Sequence, residues 1–144
     1  TTNREILSFT VNEVTKEIRE HLALPAEETK VIAIKRLRQV NDSPLAIENV
    51  WLPRKLCPDL TEDRLAGDSL YELLEERYQY QLDHARQTIE PTVVTRKESN
   101  LLKLPKEALA LLFRRTTYLA DDRIIEYTKS IYRSDDYKYE VVLS

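Results

Sequence analysis

Two arginines lie two residues apart in the segment VIAIKRLRQV, residues 31–40. In an extended strand, side chains alternate between the two faces of the sheet, so Arg36 and Arg38 share a face with the isoleucines earlier in the segment. Two guanidinium groups on neighbouring same-face positions can chelate a phosphate or a carboxylate. Alternatively, Arg36 and Arg38 are solvated at one end of the strand while a helix buries the isoleucines at the other end. This interpretation fits the same pattern, because charged side chains are rarely buried without a partner. Alternation alone leaves both interpretations open.

A second polar row occurs in IIEYTKSIY, residues 124–132. The same alternation places a carboxylate, two hydroxyls and a phenol on one face: Glu126, Thr128, Ser130 and Tyr132. Such a row could form a pocket wall that hydrogen-bonds a polyhydroxylated or amino-bearing small molecule. It is also typical of the wet face of a half-buried sheet, and periodicity does not separate the two.

Two helix starts are indicated by capping patterns. Thr10 with Glu13, and Ser69 with Glu72, have the spacing of a capping box, and apolar residues follow each at helical intervals. A helix N-terminus presents free backbone N–H groups and can seat an anion. Capping alone also accounts for both patterns.

The remaining elements are mostly strands joined in hairpins. A third short helix is predicted in KESNLLKL, ended by Pro105. Residues 30–40 and 44–52 flank the turn-forming NDSP, and a second long hairpin surrounds Asp121-Asp122. DHARQTIEPTVV predicts one further strand and YKYEVVL a last one. We find no internal repeat, and the pattern predicts an α+β domain with an antiparallel sheet covered by helices.

Length and composition limit the function classes. The 144 residues predict one domain, which can bury about 70% of its unfolded surface. A net charge of −3 argues against binding of nucleic acid by this chain alone. A single cysteine, Cys57, and the lack of any apolar span or signal peptide predict a cytoplasmic protein with no membrane partner. Because the chain contains no Met, we expect a fragment of a longer protein.

Enzyme signatures are poor. Gly67 is the only glycine, which excludes a Gly-rich phosphate loop. His21 and His84 have no metal-ligand spacing to Cys57 or to each other. The sequence therefore nominates no catalytic residue, no metal site and no cofactor.

Taken in order, the motifs resemble the UTRA domain, the effector-binding domain of the HutC-type branch of GntR transcription regulators. The resemblance covers the chain from about Leu7 to Leu143. Its motifs are Arg36-Leu37-Arg38; Pro44, Glu48, Leu52 and Pro53; Ser69-Leu70-Tyr71; and Glu126, Tyr127, Ser130, Tyr132, Arg133, Asp135 and Tyr137. One departure is Asp121-Asp122, where the family often has Asp-Gly, which leaves the turn type open.

The resemblance implies a chorismate-lyase-like α+β fold over residues 1–144, used as a sensor and not as an enzyme. An N-terminal winged-helix domain of the parent protein would bind DNA, and the protein would be a homodimer. Family effectors include phosphorylated sugars, amino sugars and acids such as urocanate. The residues carried over are Arg36, Arg38, Ser69 and Tyr71 for a phosphate, Glu126 and Tyr132 for the sugar, and a pocket-closing loop of Ser8, Phe9 and Thr10.

Two other function classes fit the same residues. A chorismate-lyase-type carbon–oxygen lyase would use the pocket arginines to hold its substrate's carboxylates. A plain dimerisation module would have solvated polar rows and no ligand. A winged-helix segment upstream of the chain would favour the regulator, an immediate start codon would favour the enzyme, and a ligand screen would separate the dimerisation module from both.

Overall fold

The computed structural model of the protein describes residues 2–66, 69–135, 138–140 and 142. Its strands are β1 (Thr2–Glu13), β2 (Lys30–Val40), β3 (Ser43–Pro53), β4 (Leu82–Val93), β5 (Leu109–Leu119) and β6 (Ile124–Arg133). Across the described residues these six strands form one antiparallel sheet in the order β1-β2-β3-β6-β5-β4. The helices are α1 (Lys16–Leu22), α2 (Glu62–Leu65), α3 (Leu70–Glu76) and α4 (Arg96–Leu102), with a 3₁₀ turn at Arg54–Leu56. The predicted α+β class is confirmed.

The chain is built from two halves of the same β-α-β-β design. β1-α1-β2-β3 forms the first half and β4-α4-β5-β6 the second. Helices α1 and α4 are each capped by a threonine side chain, Thr15 and Thr95, and each ends at a left-handed residue, Ala23 and Lys103. A Leu-Pro dipeptide follows both. The repeat that the sequence does not reveal is therefore present in the structure, because it is preserved in the element order and the caps and not in the strand residues.

The two halves meet at the centre of the sheet. β3 pairs with β6, and Asn49 lies opposite Lys129. Glu48 precedes Asn49 on β3 and lies opposite Arg36 of β2. In the same way, Thr128 precedes Lys129 on β6 and lies opposite Arg115 of β5. Arg36 and Arg115 therefore occupy equivalent positions in the two halves.

The two faces of the sheet are covered differently. Helices α1 and α4 pack on one face through Ile18, Leu22 and Leu102, against the centre of the sheet. The other face carries Arg36, and we call it the site face. Leu65, Leu70 and Leu74 of α2 and α3 pack there against Ile32, Ile34, Val50 and Leu52. This cover buries the isoleucines of β2 and leaves a cavity where its arginines begin.

Strand β1 corrects the prediction of a helix capped at Thr10. The chain stays extended to Glu13, paired along its length with β2. The helix begins after Thr15, whose Oγ1 accepts the backbone N–H of Ile18 at 3.3 Å. Strand pairing, which continues through Glu13, prevails here over the local capping pattern.

The other element predictions mostly agree with the structure. Both hairpins are present, and Asp122 takes a left-handed backbone (φ 69°) in the turn where the family often has glycine. Helix α3 follows Ser69 as predicted, but the Ser69 side chain makes no capping hydrogen bond. Helix α4 has a complete capping box between Thr95 and Glu98. The predicted last strand falls partly outside the described residues, and Tyr137 lies outside them. Residues 138–140, which are described, form no strand.

Cys57 provides a test of this packing. It is 1% exposed in the core of the site face, and burial raises the pKa of its thiol to about 12. Because the thiolate is the reactive form, we expect Ellman's reagent at pH 8 to leave the native protein unlabelled while urea-unfolded protein is labelled completely. Equal labelling rates in the two states would contradict the described packing.

Candidate functional site

A cavity of about 680 Å³ opens on the site face. Its walls come from the start of β1, helices α2 and α3, and strands β2, β5 and β6. The lining residues are Thr2, Asn3, Arg4, Ile6, Arg36, Glu62, Leu65, Ala66, Ser69, Leu70, Tyr71, Arg115 and Glu126. Cations, carboxylates and hydroxyls from distant parts of the chain therefore share one space, whose volume lies in the range of small-molecule sites.

Glu126 is the most deeply buried charged residue of the cavity wall. It is 0% exposed, and its Oε1 accepts hydrogen bonds from Tyr71 Oη at 2.8 Å and Thr117 Oγ1 at 2.9 Å. Arg115 Nη2 lies 3.4 Å from the same oxygen, and its guanidinium is 5.4 Å from the centre of the Tyr71 ring. The second oxygen, Oε2, is buried with no hydrogen-bond partner among the described residues. This carboxylate keeps one acceptor available.

A second buried carboxylate, Glu48, lies beside the cavity. Its Oε1 is 2.7 Å from Arg4 Nε and 3.3 Å from Arg36 Nη2. Its Oε2 accepts the Tyr132 hydroxyl at 3.4 Å, and Arg38 Nη1 donates to that hydroxyl at 3.0 Å. Glu48 thus neutralises Arg36 and links it to Arg38 through Tyr132.

The environment changes the proton affinity of these groups. Burial lowers the pKa of Arg36, and the attraction of Glu48 offsets only part of this effect. Burial acts in the same direction on Arg115, but the attraction of Glu126 and its neighbours outweighs it and raises the pKa of Arg115. Burial, reinforced by Glu126, raises the pKa of Tyr71 to about 12, so Tyr71 stays a hydrogen-bond donor at neutral pH.

The structure brings together only part of the predicted site. Arg36, Ser69, Tyr71 and Glu126 all line the main cavity. Arg38 is absent from its described lining, and its side chain lies against Tyr132, with the guanidinium 6.0 Å from the ring centre. Tyr132 lines a neighbouring cavity of about 20 Å³. The two arginines share a face, as alternation predicts, but they have different partners.

Ser8, Phe9 and Thr10 require a correction, because they do not form a loop. They lie within β1, opposite Lys35, Ile34 and Ala33 of β2, and Phe9 packs against the core of the site face. The part of β1 that lines the cavity comes earlier, at Thr2, Asn3, Arg4 and Ile6. The physical reason is again the pairing of β1 with β2, which resumes at Ser8 after a register shift and extends through Glu13.

Sequence reasoning did not select Arg4 or Arg115, and it named Glu48 only as part of a motif. Arg115 follows Arg114 directly, and alternation places one of the two on each face without saying which. The register that sets Arg115 opposite Thr128, two positions beyond Glu126, decides it. Such a register depends on hairpin geometry.

Comparison with known proteins finds a family model and two relatives that are transcriptional repressors. The UTRA domain family model matches residues 1–138. The HTH-type transcriptional repressor NagR of Bacillus subtilis is 38% identical over 106 residues, which cover 74% of this chain and 43% of NagR. The mannosyl-D-glycerate transport/metabolism system repressor MngR of Escherichia coli is 30% identical over 141 residues, or 98% of this chain and 58% of MngR. The chain spans about half the length of these two relatives.

Solved structures show the same architecture. The ligand-binding domain of a Bordetella bronchiseptica protein assigned to the GntR family of transcriptional regulators has a TM-score of 0.92 at 26% identity, covering 100% of this chain and 91% of that one. The effector domain of PhnF from Mycobacterium smegmatis has a TM-score of 0.88 at 21% identity, covering 100% and 88%, a similarity of fold.

The Tyr71–Glu126 contact predicts a dependence of stability on pH. Because the fold raises the pKa of Tyr71 from 10.0 to about 12, it favours the neutral hydroxyl, and this contribution is complete below pH 10 and is lost as the pH rises through 12. We expect the free energy of unfolding, measured with urea, to fall more steeply between pH 10 and 12 in the wild type than in Tyr71→Phe. The other tyrosines contribute equally to both proteins, and parallel curves would contradict the contact.

Proposed function

The chain belongs to the UTRA domain family, and on that premise we propose that it is the effector-sensing domain of a transcription regulator that binds an anionic sugar derivative, a sugar phosphate. The observation that carries the proposal is one cavity in which the buried guanidinium of Arg36 faces the same space as the buried carboxylate of Glu126. An oxyanion needs the first group. A hydroxyl or amino group of a sugar can donate to the unpartnered Oε2 of the second.

The cavity supports a division of the ligand into two ends. We propose that Arg36, with Ser69 and Tyr71, binds the phosphate, and that Glu126 binds the sugar. We propose that Arg38 and Tyr132 support the site through the neighbouring Glu48. Tyr132 accepts a hydrogen bond from Arg38 and donates one to the Glu48 carboxylate. Ser8, Phe9 and Thr10 lie within strand β1, so we propose that they contribute to the site through the position of that strand and not as a closing loop.

The names of the relatives support a charged sugar conjugate. MngR is named for mannosyl-D-glycerate, a sugar joined to a carboxylic acid. A third relative from Escherichia coli, 30% identical over 84 residues that cover 58% of this chain and 34% of its own length, is described as a probable fructoselysine utilization operon repressor. Both names describe a sugar with an ionised substituent, which is the ligand class that paired arginines and glutamates can recognise.

We propose that residues 1–144 act as one effector domain within a longer cytoplasmic homodimer whose winged-helix domain binds DNA. No helix in the described part of the chain is long and apolar enough to cross a membrane. The effector would change DNA affinity only by binding the DNA-competent and incompetent arrangements unequally. The named relatives are repressors, which favours sensing over catalysis for this cavity.

The central test removes the buried guanidinium. A hydrogen bond to a charged group contributes roughly 1.5–3 kcal/mol, so we expect Arg36→Ala to weaken binding of a sugar phosphate by one to two orders of magnitude in calorimetry. Lys35→Ala is the matched control, since Lys35 precedes Arg36 on the same strand and faces the other side of the sheet. Unchanged affinity in Arg36→Ala would overturn the assignment.

The ligand for that titration comes from a thermal-shift screen of sugar phosphates, unphosphorylated sugars and organic acids. A bound ligand stabilises the fold by mass action. We expect a sugar phosphate to raise the melting temperature more than its unphosphorylated sugar does. A panel without any stabilising compound would favour a dimerisation module.

A further inference from the structure

Five buried polar atoms on the site face have no hydrogen-bond partner within the described residues. They are Nε of Arg36, Arg38 and Arg115, Oγ1 of Thr128 and Oε2 of Glu126. Most buried polar groups in folded proteins are hydrogen-bonded, so each exception requires an explanation. Of the three arginines, Arg36 and Arg115, one from each half of the fold, line the same cavity.

The guanidinium groups of these two arginines are only loosely held. Arg36 Nη2 lies 3.3 Å from Glu48, and Arg115 Nη2 lies 3.4 Å from Glu126. Charged N–H···O bonds are usually about 2.7–2.9 Å long, and the Arg4–Glu48 contact on the same face has that length at 2.7 Å. Each guanidinium has five donors, so both groups retain donors for a further acceptor.

The pseudo-symmetry of the sheet places these donors on either side of its centre. Arg36 lies opposite Glu48, but its equivalent Arg115 lies opposite the neutral Thr128. Arg115 also lines both cavities of the site face, and Thr128 lines the smaller one. Three strand spacings of about 4.8 Å separate β2 from β5, and the two arginines are offset by two residues along the strands. Two arginine side chains that lean toward each other and one tetrahedral oxyanion can span this separation.

We propose that Arg115 is a second effector-binding residue, which holds the ligand's oxyanion together with Arg36. The proposal rests on the proposed function and adds to it a cation from the second half of the fold. Glu126 then has two tasks, since it orients Arg115 through Oε1 and accepts from the ligand through Oε2.

The test compares two adjacent arginines of β5. Arg115→Gln and Arg114→Gln are the same substitution on opposite faces, and Arg114 is paired with the half-buried Glu90. In calorimetric titrations with inorganic phosphate, we expect Arg115→Gln to weaken binding at least tenfold and Arg114→Gln to leave it unchanged. If Arg115→Gln does not fold, Arg115→Lys replaces it, because lysine keeps the charge without the planar fork. We expect its loss of phosphate affinity to lie between that of Arg114→Gln and that of Arg115→Gln.

A purely positioning role for Arg115 predicts a different pattern. If Arg115 only orients Glu126, its substitution weakens binding of glucosamine, which has an ammonium and no phosphate, and leaves inorganic phosphate binding intact. That result overturns this inference and leaves the proposed function standing. The same holds if Arg115→Gln binds phosphate as the wild type does while Arg36→Ala binds it more weakly. A wild-type domain that binds neither phosphate nor any sugar phosphate overturns both.

Discussion

Neutralisation of charge on the buried side of a sheet is the constraint on which this structure depends. An ion removed from water costs several kcal/mol unless a partner of opposite charge compensates it. Glu48 meets that requirement with Arg4 and Arg36, and Glu126 meets it with Arg115 and two hydroxyl donors. The pairs allow charged groups to lie beside the apolar core without opening it to solvent.

The cover of the site face determines where those pairs can act. Residues between β3 and β4 supply leucines that bury the isoleucines of β2, and the cavity begins where this cover ends. The two halves share one β-α-β-β design, but the segment that supplies the leucines comes after the first half of the chain and has no described counterpart after the second half. Tyr71 of this segment reaches across the sheet to Glu126. A symmetrical scaffold thus carries an asymmetrical cavity, and the groups that line it come from both halves.

Local signals predicted the elements whose determinants are local. The hairpins follow from turn residues, α3 follows from the Ser69–Glu72 pattern and apolar spacing, and α4 follows from the short segment ended by Pro105. β1 was predicted in part as a helix, because the Thr10–Glu13 pattern is a local capping signal and pairing with β2 is not. The repeat was missed for a similar reason, since the halves share caps and element order while their strand residues differ.

The sequence by itself determined that Arg36 and Arg38 share a face, because strand alternation is a property of the backbone. With the family resemblance, it also selected Ser69, Tyr71 and Glu126, which line the cavity with Arg36. Only the tertiary structure decided that Arg36 faces the cavity while Arg38 binds Tyr132, and that Arg115 joins Glu126. These outcomes depend on strand register and on cover from distant segments, and neither is encoded within one strand.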